Sequence, residues 1–251
     1  MFARAGNRDR LSRIGAGVRA RCSGRYQDHT QHVWASTNSI TIEIERDIPM
    51  SFPYKEAVAK YRGKGWGGTL PLPEGKKESP PTGFTGKKAE YPTVEELKGW
   101  MIDSKYINGN ICLRLGLIGE TQWEVVGIDV DHYESGGKQK LGGDQLAELE
   151  NKFGPLPETW ISSARTDGIS GIRYYRVPKG LGFRGKAAKD IDIISLGYRY
   201  AIVWPSLHPN GEIYWWFPPG APLTVEGRKE WDLVIPNPMS LPLLPTGDED
   251  E

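Results

Sequence analysis

The run Glu124-Val125-Val126-Gly127-Ile128-Asp129-Val130-Asp131 is apolar until its last residues, where aliphatic and acidic side chains alternate. An apolar stretch of this length reads as a buried strand. Strand side chains alternate faces, so Asp129 and Asp131 emerge on one side while Ile128 and Val130 go to the other. Asp190-Ile191-Asp192-Ile193-Ile194 repeats the alternation. Further strands are predicted over 65–72, 111–115, 160–164, 172–177, 191–195, 200–204 and 213–217, each with β-branched or aromatic residues bounded by Gly or Pro.

Helical spacing is sparser. Ser51 as cap and Pro53 in the first turn open a helix whose apolar face is Ala57, Val58 and Tyr61 and which Gly63 ends. Thr93-Val94-Glu95-Glu96 is a capping box leading through Leu97 and Trp100 to Met101. A third helix runs from Asp144, as N-cap, to Phe153, with Leu146, Leu149 and Phe153 on one face and Gly154-Pro155 as the stop. The Lys/Pro/Gly loop over 76–86 is long enough to suggest a functional role. Helices interspersed with hairpin-like strands predict an α+β domain with a mainly antiparallel sheet. No internal repeat is present.

The pattern divides the chain into an extension over 1–49, a catalytic domain over 50–220, and a Pro-rich, acidic tail or linker over 221–251. The extension holds Arg4, Arg8, Arg10, Arg13, Arg19, Arg21 and Arg25 without any lysine, and it is expected to be disordered. A transit peptide, a nucleic-acid-binding arm, or upstream sequence before a start at Met50 all suit it, and the last is preferred. A hydrophobic content of 38% with 9 Trp suffices for a core, and no run approaches a membrane span, so no membrane partner is expected. Two cysteines, Cys22 and Cys112, make neither a disulfide framework nor a zinc site, which suits a reducing, cytoplasmic setting.

The net charge of zero argues against a uniformly basic nucleic-acid coat, but it hides a basic stretch containing Arg165, Arg173, Arg176, Lys179, Arg184, Lys186, Lys189 and Arg199 around the second acidic strand. Adjacent hard oxygen ligands suit Mg²⁺ or Mn²⁺, and surrounding cations suit a triphosphate or a nucleic-acid backbone. An acid pair two residues apart also occurs as solvated strand-end aspartates. The third carboxylate, Asp192, is what favours two divalent ions and nucleotidyl transfer. His132 is read as a neighbour of the acids, since hard cations prefer oxygen. Most of Tyr174, Tyr175, Trp204, Trp215 and Trp216 are expected in the core.

Four segments in order, Tyr61-Arg62-Gly63-Lys64-Gly65-Trp66 with the following loop, Gly127 to Asp131, Ser170-Gly171-Ile172-Arg173-Tyr174-Tyr175, and Ile191-Asp192-Ile193-Ile194 leading into 200–209, resemble the prim-pol domain of bifunctional DNA primase/polymerases, in the archaeo-eukaryotic primase superfamily. The resemblance implies a prim-pol fold, an RRM-like catalytic sheet packed with an N-terminal α/β unit. It also implies template-directed synthesis from nucleoside triphosphates on single-stranded DNA, with two Mg²⁺ or Mn²⁺ ions. Carried across, Asp129, Asp131 and Asp192 are the catalytic metal ligands; Asp190 falls outside the family pattern and is a weaker helper only by its strand parity with Asp192. Ser170, Arg173, Ser206 and His208 are nucleotide-binding, Arg173 standing where the superfamily has a histidine. Arg165, Lys186 and Arg199 are chosen on charge alone as nucleic-acid contacts. Related chains often continue into a helicase, and no GxxxxGK[ST] loop is present here, so the expectation is that the chain either acts alone or works with a separate helicase. The alternatives are a nucleotide- or single-strand-binding accessory module, or another metal-dependent nuclease or transferase.

Overall fold

Pro53, pre-set for a first helical turn, opens helix α1 (Pro53–Gly63), and Tyr54, Ala57, Val58 and Tyr61, spaced by three and four, are all buried. The computed structural model describes residues 52–229 and 234–245. The Arg-rich extension, the Ser51 cap and the acidic end fall outside them. The residue preceding α1 is Phe52, which makes no side-chain cap.

Strand β1 (Thr69–Leu72) follows, shorter than expected because the glycines before it form a turn. The capping box forms as read: the Thr93 hydroxyl accepts the Glu96 N–H, and Glu96 accepts the Thr93 N–H, opening α2 (Val94–Trp100). Then come β2 (Asn110–Leu113), β3 (Gly116–Leu117), β4 (Trp123–Val130), a small hairpin of β5 (Glu134–Ser135) and β6 (Lys138–Gln139), and α3 (Gly142–Phe153). The chain continues with β7 (Ile161–Ser163), β8 (Gly171–Pro178), β9 (Lys186–Ala188), β10 (Ile191–Ile194), β11 (Ala201–Ile202), β12 (Trp215–Phe217), α4 (Val225–Lys229) and a 3-10 turn over Pro238–Ser240.

One sheet is β1-β2-β11 and the larger one β12-β7-β8-β4-β10-β9, with β3 also paired to β4; every ladder between these strands is antiparallel. The mixed α+β class with a mainly antiparallel sheet is therefore present. β4 is the axis of the larger sheet, paired along its whole length with β8 and through its last four residues with β10. Val126, Ile128 and Val130 pack with Tyr175, Val177, Ile191 and Ile193 under Leu146 and Leu149 of α3. Val125, Ile172, Tyr174 and Ile194 on the opposite face join Trp66, Leu113, Val203 and Trp216 in the main core. Burial on both faces accounts for the near-continuous apolar run before the acids. A methyl added at Gly127 would lie 2.8 Å from Cγ2 of Ile172 and 3.1 Å from Cδ1 of Leu115, so β4 needs glycine where the core presses closest.

The strand aromatics are mostly core. Tyr174, Tyr175, Trp204 and Trp216 are buried, and each contributes ~1.5–3 kcal/mol by leaving water. Three of them place their polar atoms: the Tyr174 hydroxyl meets Ser162 Oγ at 2.7 Å, the Tyr175 hydroxyl donates to the Pro157 carbonyl at 2.9 Å, and Trp216 Nε1 donates at 2.7 Å to the Tyr61 hydroxyl, which itself donates to the Trp204 carbonyl at 2.7 Å.

Two expectations need correction. α3 begins at Gly142, so Asp144 lies in its first turn, where an acid favours the helix dipole, and Phe153 is 72% exposed because the helix end overhangs the sheet. The segment after Pro218 is no loose tail: Ile235 and Leu241 are buried in the main core. Arg176 on β8 donates from Nε to the Leu241 carbonyl (2.7 Å) and from its backbone N–H to Pro242 (2.8 Å), while Trp66 Nε1 donates to Pro236 (2.8 Å). Prolines lack donors, so this stretch is ordered by its carbonyls rather than by a ladder of its own. Among the described residues no helix is long and apolar enough to cross a membrane.

Candidate functional site

The antiparallel register between β4 and β10 sets Asp192 directly opposite Asp129, with Ile191 opposite Val130 and Ile193 opposite Ile128. Directly opposed residues share a face with Cβ atoms ~4.5–5.5 Å apart, and like charges there repel. Asp131 lies one residue past the end of β4 and lines the same cleft as Asp129. The sequence therefore spends two aliphatic positions anchoring each strand in the core under α3 and turns the alternate acids the other way.

Each acid is compensated differently. Asp192, 6% exposed, has Lys186 Nζ 3.0 Å from Oδ1 and Arg199 Nη1 3.2 Å from Oδ2. The lysine approaches Oδ1 off the hydrogen-bonding direction, leaving that buried oxygen without a donor. Asp131 has Lys140 Nζ at 3.7 Å. Asp129 has no ion pair within 4.0 Å among the described residues, and its carboxyl is pushed up to about 7, first by burial, then by Asp131 and Asp192, against the pull of Lys77 and Arg199. Among the described residues no three His, Cys, Asp or Glu side chains stand as a ready-made metal cage.

Asp190 lies across from Asp131, whose N–H donates to the Asp190 carbonyl at 3.0 Å, but the Asp190 side chain is committed elsewhere. Its carboxylate takes Lys140 Nζ (3.0 Å), the Leu141 N–H (3.2 Å) and Gln145 Nε2 (3.4 Å). The Leu141 N–H and then Lys140 hold it below the usual carboxylate range. Asp190 is thus a clamp that seats the start of α3 against the β4–β10 edge.

The acids open into a cleft of about 280 Å³, lined among others by Lys77, Asp129, Asp131, Arg165, Ser170, Arg199, His208 and Tyr214. Six of the residues chosen from sequence therefore converge there: Asp129, Asp131, Arg165, Ser170, Arg199 and His208. Asp192 and Lys186 adjoin them through the Asp192 ion pairs. The Arg165 guanidinium lies 3.6 Å from the centre of the Tyr133 ring. His208 is held neutral-favouring by burial and by Lys77, and its Nδ1 meets Asn210 Oδ1 at 2.6 Å. Ser170 lines the cleft, but its hydroxyl accepts the His132 N–H and donates to the His132 carbonyl, both at 3.0 Å. His132 Nδ1 accepts the Gly143 N–H at 3.2 Å, which ties the strand end to α3.

Two residues are elsewhere. Arg173 pairs in register with Ile128, not Asp129, and so sits on the α3 side of the sheet, where its guanidinium donates to the carbonyls of Ile169 (3.0 Å) and Gly171 (3.2 Å). The β8 residue opposite Asp129 is the aliphatic Ile172. A one-residue difference along a strand reverses the face, which is why Arg173 is not brought to the acids. Ser206 is fully buried, its hydroxyl exchanging hydrogen bonds with the backbone of Ile111, both at 2.8 Å. It fixes a loop and faces no ligand space.

The cleft also contains residues not singled out individually from the sequence, notably Lys77, Tyr133, Tyr200 and Tyr214. For Lys77 the available signal was the unusual length of its loop. For Tyr133 it was its parity with Asp131, two residues on.

Residues 58–230 match the family model Prim-Pol, described as bifunctional DNA primase/polymerase, N-terminal. No curated protein and no solved structure matches the chain.

Proposed function

We propose, for a chain that belongs to the bifunctional DNA primase/polymerase N-terminal family, template-dependent nucleotidyl transfer in DNA replication, as primer synthesis, primer extension or both. One observation carries this reading: the register opposes Asp192 to Asp129, which with Asp131 lines a cleft edged by Lys77, Arg165 and Arg199. The reaction forms a bond between a 3′-hydroxyl oxygen and the α-phosphorus of a nucleoside triphosphate and breaks the α–β bridge, releasing pyrophosphate.

The donor set fits divalent ions. It consists of hard carboxylate oxygens, one of them, Asp192 Oδ1, buried without a hydrogen-bond donor, and another acid, Asp129, kept from ionising at its usual pH first by burial and then by its acidic neighbours. Asp129, Asp131 and Asp192 would hold two Mg²⁺ or Mn²⁺ ions, whose positive charge would favour deprotonation of the attacking hydroxyl and offset the charge of the leaving phosphates. Arg165 and Arg199 supply positive charge for phosphates of substrate or template, and arginine does so in a fixed, forked geometry. Ile172 and the buried floor beneath it keep that side of the acids dry, which strengthens every charge interaction there. The RRM-like description of the sheet belongs to the same proposal, supported by the β4–α3–β7–β8 path that lays β8 antiparallel beside β4 with α3 over one face.

A second reading has its own support. Lys186 and Arg199 already balance Asp192 without any ion, as in a module that binds nucleotide or single-stranded DNA and performs no chemistry.

The test is incorporation of labelled nucleotides on a single-stranded DNA template, with and without an annealed primer, in Mg²⁺ or Mn²⁺. Product from the intact chain and none from Asp129→Ala or Asp192→Ala supports the polymerase reading. Nucleotide or strand binding with no product supports the module, and template degradation would point to a nuclease.

A further inference from the structure

The strand beside Asp129 presents an aliphatic side chain, Ile172, so positive charge for a substrate's phosphates has to reach the cleft from other elements. Of the residues lining the cleft, Lys77, Arg165 and Arg199 carry a fixed positive charge. Arg199 is engaged by Asp192 at 3.2 Å, and Arg165 is stacked over Tyr133. The Lys77 ammonium makes no ion pair within 4.0 Å among the described residues, and its side-chain contact is a long one, 3.4 Å to Nε2 of His208. Burial, foremost, holds this ammonium below the usual lysine range; the attraction of Asp129 and Asp131 opposes that and the repulsion of Arg165 and Arg199 adds to it, which places it in the field of the acids without a committed partner.

The loops bearing Lys77 and His208 are held together by one buried side chain. Asn110, 1% exposed at the start of β2, donates from its amide to the Lys76 carbonyl (3.0 Å) and to the Leu207 carbonyl (2.8 Å), and accepts the Leu207 N–H (2.8 Å). The Tyr200 hydroxyl adds a bond to the Lys77 carbonyl itself (3.0 Å). The backbone on both sides of the Lys77–His208 contact is therefore fixed, while the ammonium at its tip stays available. His208, with Nδ1 turned to Asn210 and Nε2 to Lys77, steers that ammonium without neutralising it.

We propose that Lys77 binds the β- and γ-phosphates of a nucleoside triphosphate in the cleft, and that Asn110 is the positioning residue that holds Lys77 and His208 beside the aspartates. This rests on the nucleotidyl-transfer reading above. A lysine serves as a phosphate-binding point charge. Recruiting Lys77 breaks no ion pair, whereas recruiting Arg199 would unbalance Asp192.

The test uses the full chain in Mg²⁺. Calorimetry with adenosine and deoxyadenosine triphosphates, and with the corresponding monophosphates, is run on the intact chain, Lys77→Ala and Lys77→Arg, beside steady-state incorporation on a primed template. Lys77→Ala is expected to weaken triphosphate binding at least tenfold and leave monophosphate binding within twofold. Its KM should rise at least tenfold with kcat within threefold, and Lys77→Arg should recover most of the loss. Asn110→Ala, confirmed folded by its melting transition, should raise KM in the same direction while kcat holds; if it does not fold, the Lys77 pair decides. Triphosphate affinity of Lys77→Ala within twofold of the intact chain overturns the assignment while leaving the polymerase reading standing. An intact chain that neither binds triphosphate nor incorporates it overturns both.

Discussion

Replacing Asp129 by asparagine should abolish catalysis and yet make the metal-free protein harder to unfold. Asn has the shape of Asp, so no cavity forms, and the change removes one of two acids opposed in register. The magnitude follows from the displacement of the Asp129 carboxyl from 3.8 to about 7. An acid whose pKa is higher folded than unfolded costs nothing below the unfolded value, where both states are protonated. The cost grows as pH rises toward the folded value and is constant above it. At 1.36 kcal/mol for each tenfold step, the ionised carboxylate destabilises the fold by about 4 kcal/mol at most above pH 7, and by roughly 1.5 kcal/mol at pH 5. A domain of this size shifts its melting temperature by about 2–4 °C for each kcal/mol. Thermal melts of Asp129→Asn and the intact chain, in a chelator at pH 5 and pH 8, should therefore show the variant melting at least about 4 °C higher at pH 8, with the gap falling by more than half at pH 5. Adding Mg²⁺ or Mn²⁺ should close the gap by stabilising the intact chain alone. A variant that melts at or below the intact chain at pH 8, or a gap that ignores pH, would refute the electrostatic account of the site.

Arg173→Ala should leave the KM for nucleotide within twofold while lowering stability by about 1–3 kcal/mol, since its guanidinium serves the Ile169 and Gly171 carbonyls; a large KM effect at unchanged stability would return it to the site. Gly127→Ala should destabilise by about 1–3 kcal/mol, because the new methyl meets Ile172 and Leu115 at 2.8 and 3.1 Å, and denaturant titration should show an earlier midpoint. An unchanged midpoint would mean that β4 has slack beside the acids.

Local chemistry made much of this site legible in advance. The alternation in 124–131 and 190–194 identified two strands and predicted that Asp129 and Asp131 share a face, because that follows from strand pleating alone. The pairing of those strands is a property of the folded sheet, and it decides the remaining assignments. Arg173 and Ile172 are neighbours in sequence, but only the register with β4 shows that the aliphatic one faces Asp129. Ser206 lies close in sequence to a cleft residue, His208, yet its hydroxyl is consumed by Ile111, a partner on a strand far away in the chain. Asp190 matched the parity rule, but its carboxylate is taken by Lys140, the Leu141 N–H and Gln145. Lys77 was visible only as part of a long loop, since its meeting with His208 spans 131 positions.

The C-terminal segment bears on where this catalytic unit stops. Family likeness fades at residue 230, but the unit's chemistry of pairing does not. The buried indole N–H of Trp66 finds its acceptor at Pro236, and Arg176 finds its own at Leu241 and Pro242. A fragment cut where the likeness ends would strand these donors, at ~1–3 kcal/mol for each left unsatisfied, and would strip Ile235 and Leu241 from the core. The physical unit thus reaches at least to Pro242, past the point at which ancestry ceases to be recognisable, because buried donors inside the fold need the carbonyls of this segment.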